Sequence, residues 1–214
     1  VQAMAVSGGN VSVSGAVVTI NPTANLDSSQ GYYLQIDATT IDDTSGNSFA
    51  GINDTTTLNF TAADVVAPIL SSTSPTDNAT GVAAGANIVL TFNENVAAGS
   101  GNITLKKSSD NSTVQAMAVG GANVSISGAV VTINPTANLA SSQGYYVQVD
   151  ATAIDDTSGN SFAGVSDNTT LNFTAADSAG PSVASSSPAD DATGVAVDAN
   201  IVLTFDENVV VGSG

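Results

Sequence analysis

The stretch AIDDTSGNSFAG, Ala153 to Gly164, repeats TIDDTSGNSFAG of Thr40 to Gly51 almost unchanged. Each copy places two adjacent aspartates, Asp155 and Asp156 or Asp42 and Asp43, ahead of a Ser-Gly-Asn turn that ends at Asn160 or Asn47. The only glutamates in the chain, Glu94 and Glu207, also fall at equivalent positions, inside Asn-Glu-Asn and Asp-Glu-Asn. Carboxylates grouped with asparagine and main-chain carbonyls are ligands for a hard cation, Ca2+ above all, which takes about six to eight oxygens. The same residue types also make ordinary solvated turns, because Asp, Asn and Ser side chains bond nearby backbone. The spacing does not match an EF-hand loop, so the two readings stand side by side.

Other chemistry is excluded by composition. The chain has no cysteine, histidine or tryptophan, which removes thiolate and imidazole catalysis, the usual zinc sites and any disulfide framework. Two lysines, Lys106 and Lys107, stand against 19 acidic residues for a net charge of -17, a surface that repels nucleic acid and anionic membranes. Paired carboxylates serve glycosidases only across an aromatic-lined cleft, and aromatics are 5% of the residues. No enzymatic activity is expected. No apolar run approaches the roughly 18 residues of a membrane helix, so no insertion is expected either.

What must position these carboxylates is a repeated β-domain. Asp42 and Asp155 lie 113 residues apart, as do Val1 and Val114, and Ala86 and Ala199. This period suits a whole small β-domain rather than a solenoid unit. The expected organisation is the C-terminal part of one repeat over residues 1–64, a complete repeat over 65–177, and the N-terminal part of a third over 178–214. Within the complete copy the apolar residues alternate. Ile88, Leu90 and Phe92 share one face of their segment, as do Ile103 and Leu105, Val124 and Ile126, Val131 and Ile133, then Tyr145, Val147 and Val149, and finally Leu171 and Phe173. With strands near Ile69 and Gln115 to Val119, seven or eight short strands follow, joined by Gly, Asn, Asp and Pro turns. No segment has helical spacing. The economical fold is all-β, with two antiparallel sheets packed face to face. Leu139 six residues before Tyr145, and Leu26 six before Tyr32, suggest a tyrosine corner, with a plain core tyrosine as the alternative.

The segments SPTDNATGVAAGANIVLTFNENV, NITLKK, VTINPTANLASSQGYYVQVDATAIDDTSGNSFAG and LNFT resemble the bacterial Ig-like domain of S-layer proteins and very large surface adhesins. The resemblance implies tandem Ig-like β-sandwiches forming a stalk, spacer or fibre on the cell surface or in a secreted filament.

In a sandwich of that topology three acidic elements converge where the chain enters the domain. The expected Ca2+ ligands are Asp64 of the linker, Asn93 and Glu94, and Asp155, Asp156 and Asn160. Asp42, Asp43 and Asn47 are their counterparts in the first copy, and Asp177, Asp206 and Glu207 in the third. Asp77 and Asp190, in the first loop of their copies, are expected to form turns. Asn-x-Ser/Thr sequons at Asn10, Asn59, Asn102, Asn123 and Asn172 allow glycan attachment in a host with that machinery. Rows of Thr and Ser on strands make a carbohydrate- or ice-binding module the alternative function. The expected partners are neighbouring repeats or copies of the same chain, joined head to tail, with Ile201, Leu203 and Phe205 of one segment against Tyr32, Leu34, Leu58 and Phe60 of another.

Overall fold

The computed structural model describes residues 2–213 and contains strands, turns and loops, with no helix among those residues. The first segment carries β1 (Val11–Ser14), β2 (Val17–Ile20), β3 (Gly31–Tyr33) and β4 (Asn59–Thr61). The central copy carries β5 (Leu70–Ser74), β6 (Ala79–Val82), β7 (Ile88–Phe92), β8 (Val96–Ala98), β9 (Asn102–Lys107), β10 (Thr113–Ala118), β11 (Val124–Ser127), β12 (Val130–Ile133), β13 (Gly144–Val149), β14 (Ile154–Asp156) and β15 (Asn172–Ala175). The last segment carries β16 (Val183–Ser187) and β17 (Val202–Phe205).

Two sheets make the central domain, one of five strands in the order β10-β9-β13-β15-β6 and one of four in the order β11-β12-β7-β5. All pairings within them are antiparallel except β15 with β6. The alternation of large apolar residues explains the packing. Ile88, Leu90, Val131 and Ile133 from one sheet and Ile103, Leu105, Val147 and Phe173 from the other meet in one buried cluster. Phe92 meets Phe162 edge to face at 5.2 Å, and Tyr145 stacks on Phe173 at 5.9 Å. The tyrosine corner is present: the Ala140 N–H donates to the hydroxyl of buried Tyr145 at 2.8 Å, and the Asp27 N–H donates to that of Tyr32 at 2.8 Å. Asp77 accepts from the Asn172 N–H at 3.1 Å and from its side-chain amide at 2.9 Å, so it ties the first loop to β15.

The sandwich expected from the alternation is therefore the one observed, with three short strands added. These are β6 (ATGV), β8 (VAA) and β14 (IDD), segments of three or four residues without large alternating side chains. β8 and β14 pair with each other as a separate ribbon, Asp156 opposite Val96. Gly164 follows at φ +80°, where a Cβ would stand 2.5 Å from the Val149 carbonyl oxygen, so only glycine lets the chain pass back against β13.

The flanking segments repeat parts of this architecture. The hairpin β1–β2 has the register of β11–β12, β3–β4 that of β13–β15, and β16–β17 that of β5–β7.

Phe92, buried at the end of β7 against Phe162, belongs to the core cluster, and Phe92→Ala is expected to cost about 3–5 kcal/mol by leaving a cavity. Urea denaturation followed by tyrosine fluorescence measures the loss.

Candidate metal centre

Strand alternation selects which aspartate of the central pair turns inward. On β14, Ile154 and Asp156 are buried while Asp155, between them, is half-buried on the other face. Asp156 is the buried charged residue among those described. Its Oδ1 accepts the N–H groups of Ser158 and Asn160, each at 2.8 Å, and its Oδ2 accepts the Asn160 side-chain amide at 2.7 Å. Gly159, at φ +91°, provides the reversal that folds the loop over the carboxylate.

Two further carboxylates meet Asp156. One oxygen each from Asp64, Glu94 and Asp156 lie within 4.8 Å of one another. Asp64 arrives from the linker, where its Oδ1 accepts the Ser28 hydroxyl at 2.9 Å and the Val66 N–H at 3.1 Å. Its main-chain oxygen accepts the Asn160 amide at 3.3 Å, a direct bond between linker and loop. Glu94 arrives from the turn between β7 and β8.

The electrostatics follow from crowding like charges beside few donors. Glu94 is pushed above its ordinary 4.5, by partial burial first and by the charges of Asp156 and Asp64 next. Asp64 is held below the usual carboxylate range, chiefly by the Val66 N–H and then by Ser28. For Asp156, burial acts upward most strongly, yet the Asn160 amide and the N–H groups of Asn160, Ser158 and Gly159 together outweigh it and hold the carboxyl low. Three hard oxygen donors, in a chain without sulfur or imidazole ligands other than two methionines, suit Ca2+ rather than zinc.

The other expected ligands do not turn a carboxylate into this cluster. Asp155 accepts the Ser161 hydroxyl at 2.6 Å on the outer side of the ribbon. Asn93 turns its Oδ1 to the Ile69 N–H at 2.7 Å and so anchors the linker. Asn160 acts through its Nδ2 as a donor to Asp156 and Asp64. In the first copy, Asp42 accepts the Ser48 hydroxyl at 2.6 Å, and Asp43 accepts from Asn47, N–H and side-chain amide alike, at 2.8 Å. In the third copy, Asp177 accepts the Ser141 hydroxyl at 2.7 Å and the Ala179 N–H at 3.1 Å, and these two donors hold its carboxyl low. Asp206 takes the place of Asn93 and accepts the Ser182 N–H at 2.8 Å.

Both junctions thus share one construction. Ser28 and Ser141 each donate to the linker aspartate and accept from the linker backbone, Val65 N–H or Ser178 N–H, at 2.9 Å. These serines escaped notice in the sequence, although DSSQG and ASSQG recur at the same offset.

The family comparison agrees with this architecture. The bacterial Ig-like domain model matches residues 1–62, 64–175 and 177–214, so the chain belongs to the bacterial Ig-like domain family. No curated protein matches the sequence. Among solved structures, the chain is similar to CopC from Methylosinus trichosporium OB3b, at 18% identity over 53% of this chain and 97% of that one, with a TM-score of 0.38. It is also similar to the bacterial S-layer protein SbsC, at 17% identity over 55% of this chain and 15% of that one, with a TM-score of 0.35. A structure of the N-terminal part of SbsC gives 18% identity, 55% and 25% coverage and a TM-score of 0.36. The chain therefore spans a quarter or less of those S-layer structures.

The raised pKa of Glu94 makes the metal-free protein less stable above the pH at which Glu94 ionises, and stability returns as pH falls through that range. The lowered values of Asp64 and Asp156 act oppositely, and their contribution is lost only as pH falls below their ordinary 3.8. Glu94→Gln is accordingly expected to raise the Tm in chelator at neutral pH by about 1–4 °C, the scale of one weak Coulomb term in a domain of this size. The gain should vanish as pH falls below the ordinary 4.5, where the wild-type carboxyl is protonated in folded and unfolded chains alike. Thermal melts across that pH range measure both.

Proposed function

We propose that the chain is a non-catalytic spacer of a bacterial cell-surface or secreted structural protein, a run of Ig-like sandwiches stiffened at their junctions by Ca2+ and joined to copies of itself through its flanking segments. The observation that carries the spacer reading is the repeated junction. The same serine-aspartate clamp holds the linker at both ends of the central domain, and an Asn or Asp side chain receives the linker N–H on the far side. A linker bonded to both neighbours transmits orientation from one domain to the next.

Ca2+ adds to this clamp. The linker contributes Asp64 while the domain it enters contributes Glu94 and Asp156, so an ion held by all three ties linker to domain. It would also offset the repulsion that raises Glu94. Asp177 and Glu207 stand 113 residues after Asp64 and Glu94, so the next junction carries the equivalents of two of the three carboxylates. In a cysteine-free chain rich in acid, stability comes from packing and, in this reading, from hard cations.

Ca2+ at millimolar concentration is expected to raise the Tm and lengthen the particle in small-angle scattering relative to chelator, because binding is confined to the folded junction. Asp156→Ala should remove both responses. Identical melts and scattering profiles with Ca2+ and with chelator would dismiss the ion, whereas a compact rather than elongated particle in both conditions would dismiss the spacer.

A further inference from the structure

The loop that leads into β15 differs from its counterpart before β4, yet keeps the same chemistry. It reads VSDNTTLNF from Val165 to Phe173 and INDTTTLNF from Ile52 to Phe60. Asn53 becomes Ser166, which removes the sequon Asn53-Asp54-Thr55; Thr55 becomes Asn168, which creates the sequon Asn168-Thr169-Thr170. Both copies therefore carry an Asn-x-Thr sequon in this loop, built from different positions.

The loop has a fixed shape. Asp167 accepts the N–H groups of Thr169 at 2.8 Å and Thr170 at 2.7 Å together with both hydroxyls, and Asp54 holds Thr56 and Thr57 in the same way. Its foot is fastened to the chain before it, Gln148 donating to the Ser166 carbonyl and Gln35 to that of Asn53. Asn168 and Asn53 are both exposed on this frame, and neither side-chain amide takes part in a hydrogen bond among the described residues. The other sequons are closed. The Nδ2 groups of Asn10 and Asn123 donate to the carbonyls of Asn21 and Asn134, at 3.0 and 2.8 Å. Those of Asn59 and Asn172 donate to the carbonyls of Thr56 and Thr169, at 2.9 and 3.0 Å, and that of Asn78 to Asp77 at 2.7 Å. Asn102 lies within β9, between β10 and β13, and Asn111 is held by the Tyr146 hydroxyl at 3.1 Å.

We propose that Asn168 and Asn53 are attachment sites for an asparagine-linked oligosaccharide, one in the same loop of each copy. Attachment requires a surface turn in which the carboxamide nitrogen is unengaged and the hydroxyl two residues on is within its reach. The Asn Nδ2 attacks the anomeric carbon of an oligosaccharide carried on a lipid pyrophosphate. The C–N bond forms as the C–O bond to the pyrophosphate breaks, the lipid pyrophosphate leaves, and the proton from Nδ2 passes to a carboxylate base of the transferase. The Thr55 hydroxyl takes no part in the bonds to Asp54, whereas that of Thr170 donates to Asp167 at 2.8 Å and has to rotate away, so Asn53 is the faster site. No residue of this loop belongs to the serine-aspartate clamps, so modification there leaves the linker bonds intact.

The inference rests on reading the chain as a surface or secreted protein, and the experiment separates the two. The folded 214-residue chain is treated with lipid-linked oligosaccharide and an oligosaccharyltransferase that accepts synthetic peptides spanning every sequon, and the products are mapped by mass spectrometry. Saccharide is expected on Asn53 first and then on Asn168, while the other sequons, accepted as peptides, stay bare in the folded chain. Asn53→Gln and Asn168→Gln each remove the saccharide at their own site and keep the wild-type Tm, because neither side chain is bonded. A folded chain left bare at either asparagine overturns the proposal, as does one modified just as fully at Asn10, Asn59, Asn123 or Asn172. Neither failure touches the spacer reading, which the scattering measurement tests by itself.

Discussion

The pairing of Val130–Ile133 with Ile88–Phe92 is the interaction on which the rest of the molecule depends. It joins the front half of a domain, which leads the chain in, to the back half, which leads it out. Leu90, Ile88, Val131 and Ile133 become solvent-inaccessible only because both halves are present, and the second sheet then has a face to pack on. Everything at the domain entrance is arranged around this seam, since β7 runs directly into the turn that carries Glu94.

The entrance shows how one buried charge is accommodated. Asp156 lies on the inward side of a three-residue strand, where an uncompensated carboxylate would be costly. The loop that follows supplies three donors from Ser158 and Asn160, enough to keep the carboxyl ionised without any basic residue. Glu94 has no comparable set of donors and is driven up, by its partial burial first and then by the charges of Asp156 and Asp64. Three acidic groups therefore share one small volume in two different electrostatic conditions, one saturated by backbone and the other dependent on its neighbours.

Much of this was legible in the sequence, because strands with a single buried face announce it by alternation. Ile88, Leu90 and Phe92, or Tyr145, Val147 and Val149, carry enough apolar surface to declare their side. The strands β6, β8 and β14 do not, since Ala, Gly and Asp are compatible with turn or strand and only the pairing partner decides. Convergence of Asp64, Glu94 and Asp156 followed from topology, and β14 then decided that Asp156 rather than Asp155 joins them. The linker serines were hidden because a serine before a turn looks alike whether it bonds its own loop or a linker 36 residues further on. Asn93 shows the converse: its residue type suited a ligand, and its geometry gives it to the Ile69 N–H.

The identity of β2 and β12 has a kinetic side as well. Both read VVTI, so the segment Ile88–Phe92 finds the same side chains on either, and affinity alone cannot tell its own domain from its neighbour. β2 also emerges first as the chain is made, well before β12 exists. Discrimination must then come from tethering: the linker bonds from Ser28 and Asp64 and those from Asn93 and Asn160 fix where β5, the sheet neighbour of β7, starts. In a chain of near-identical repeats the connections, more than the strands, carry the information that keeps each domain separate during synthesis.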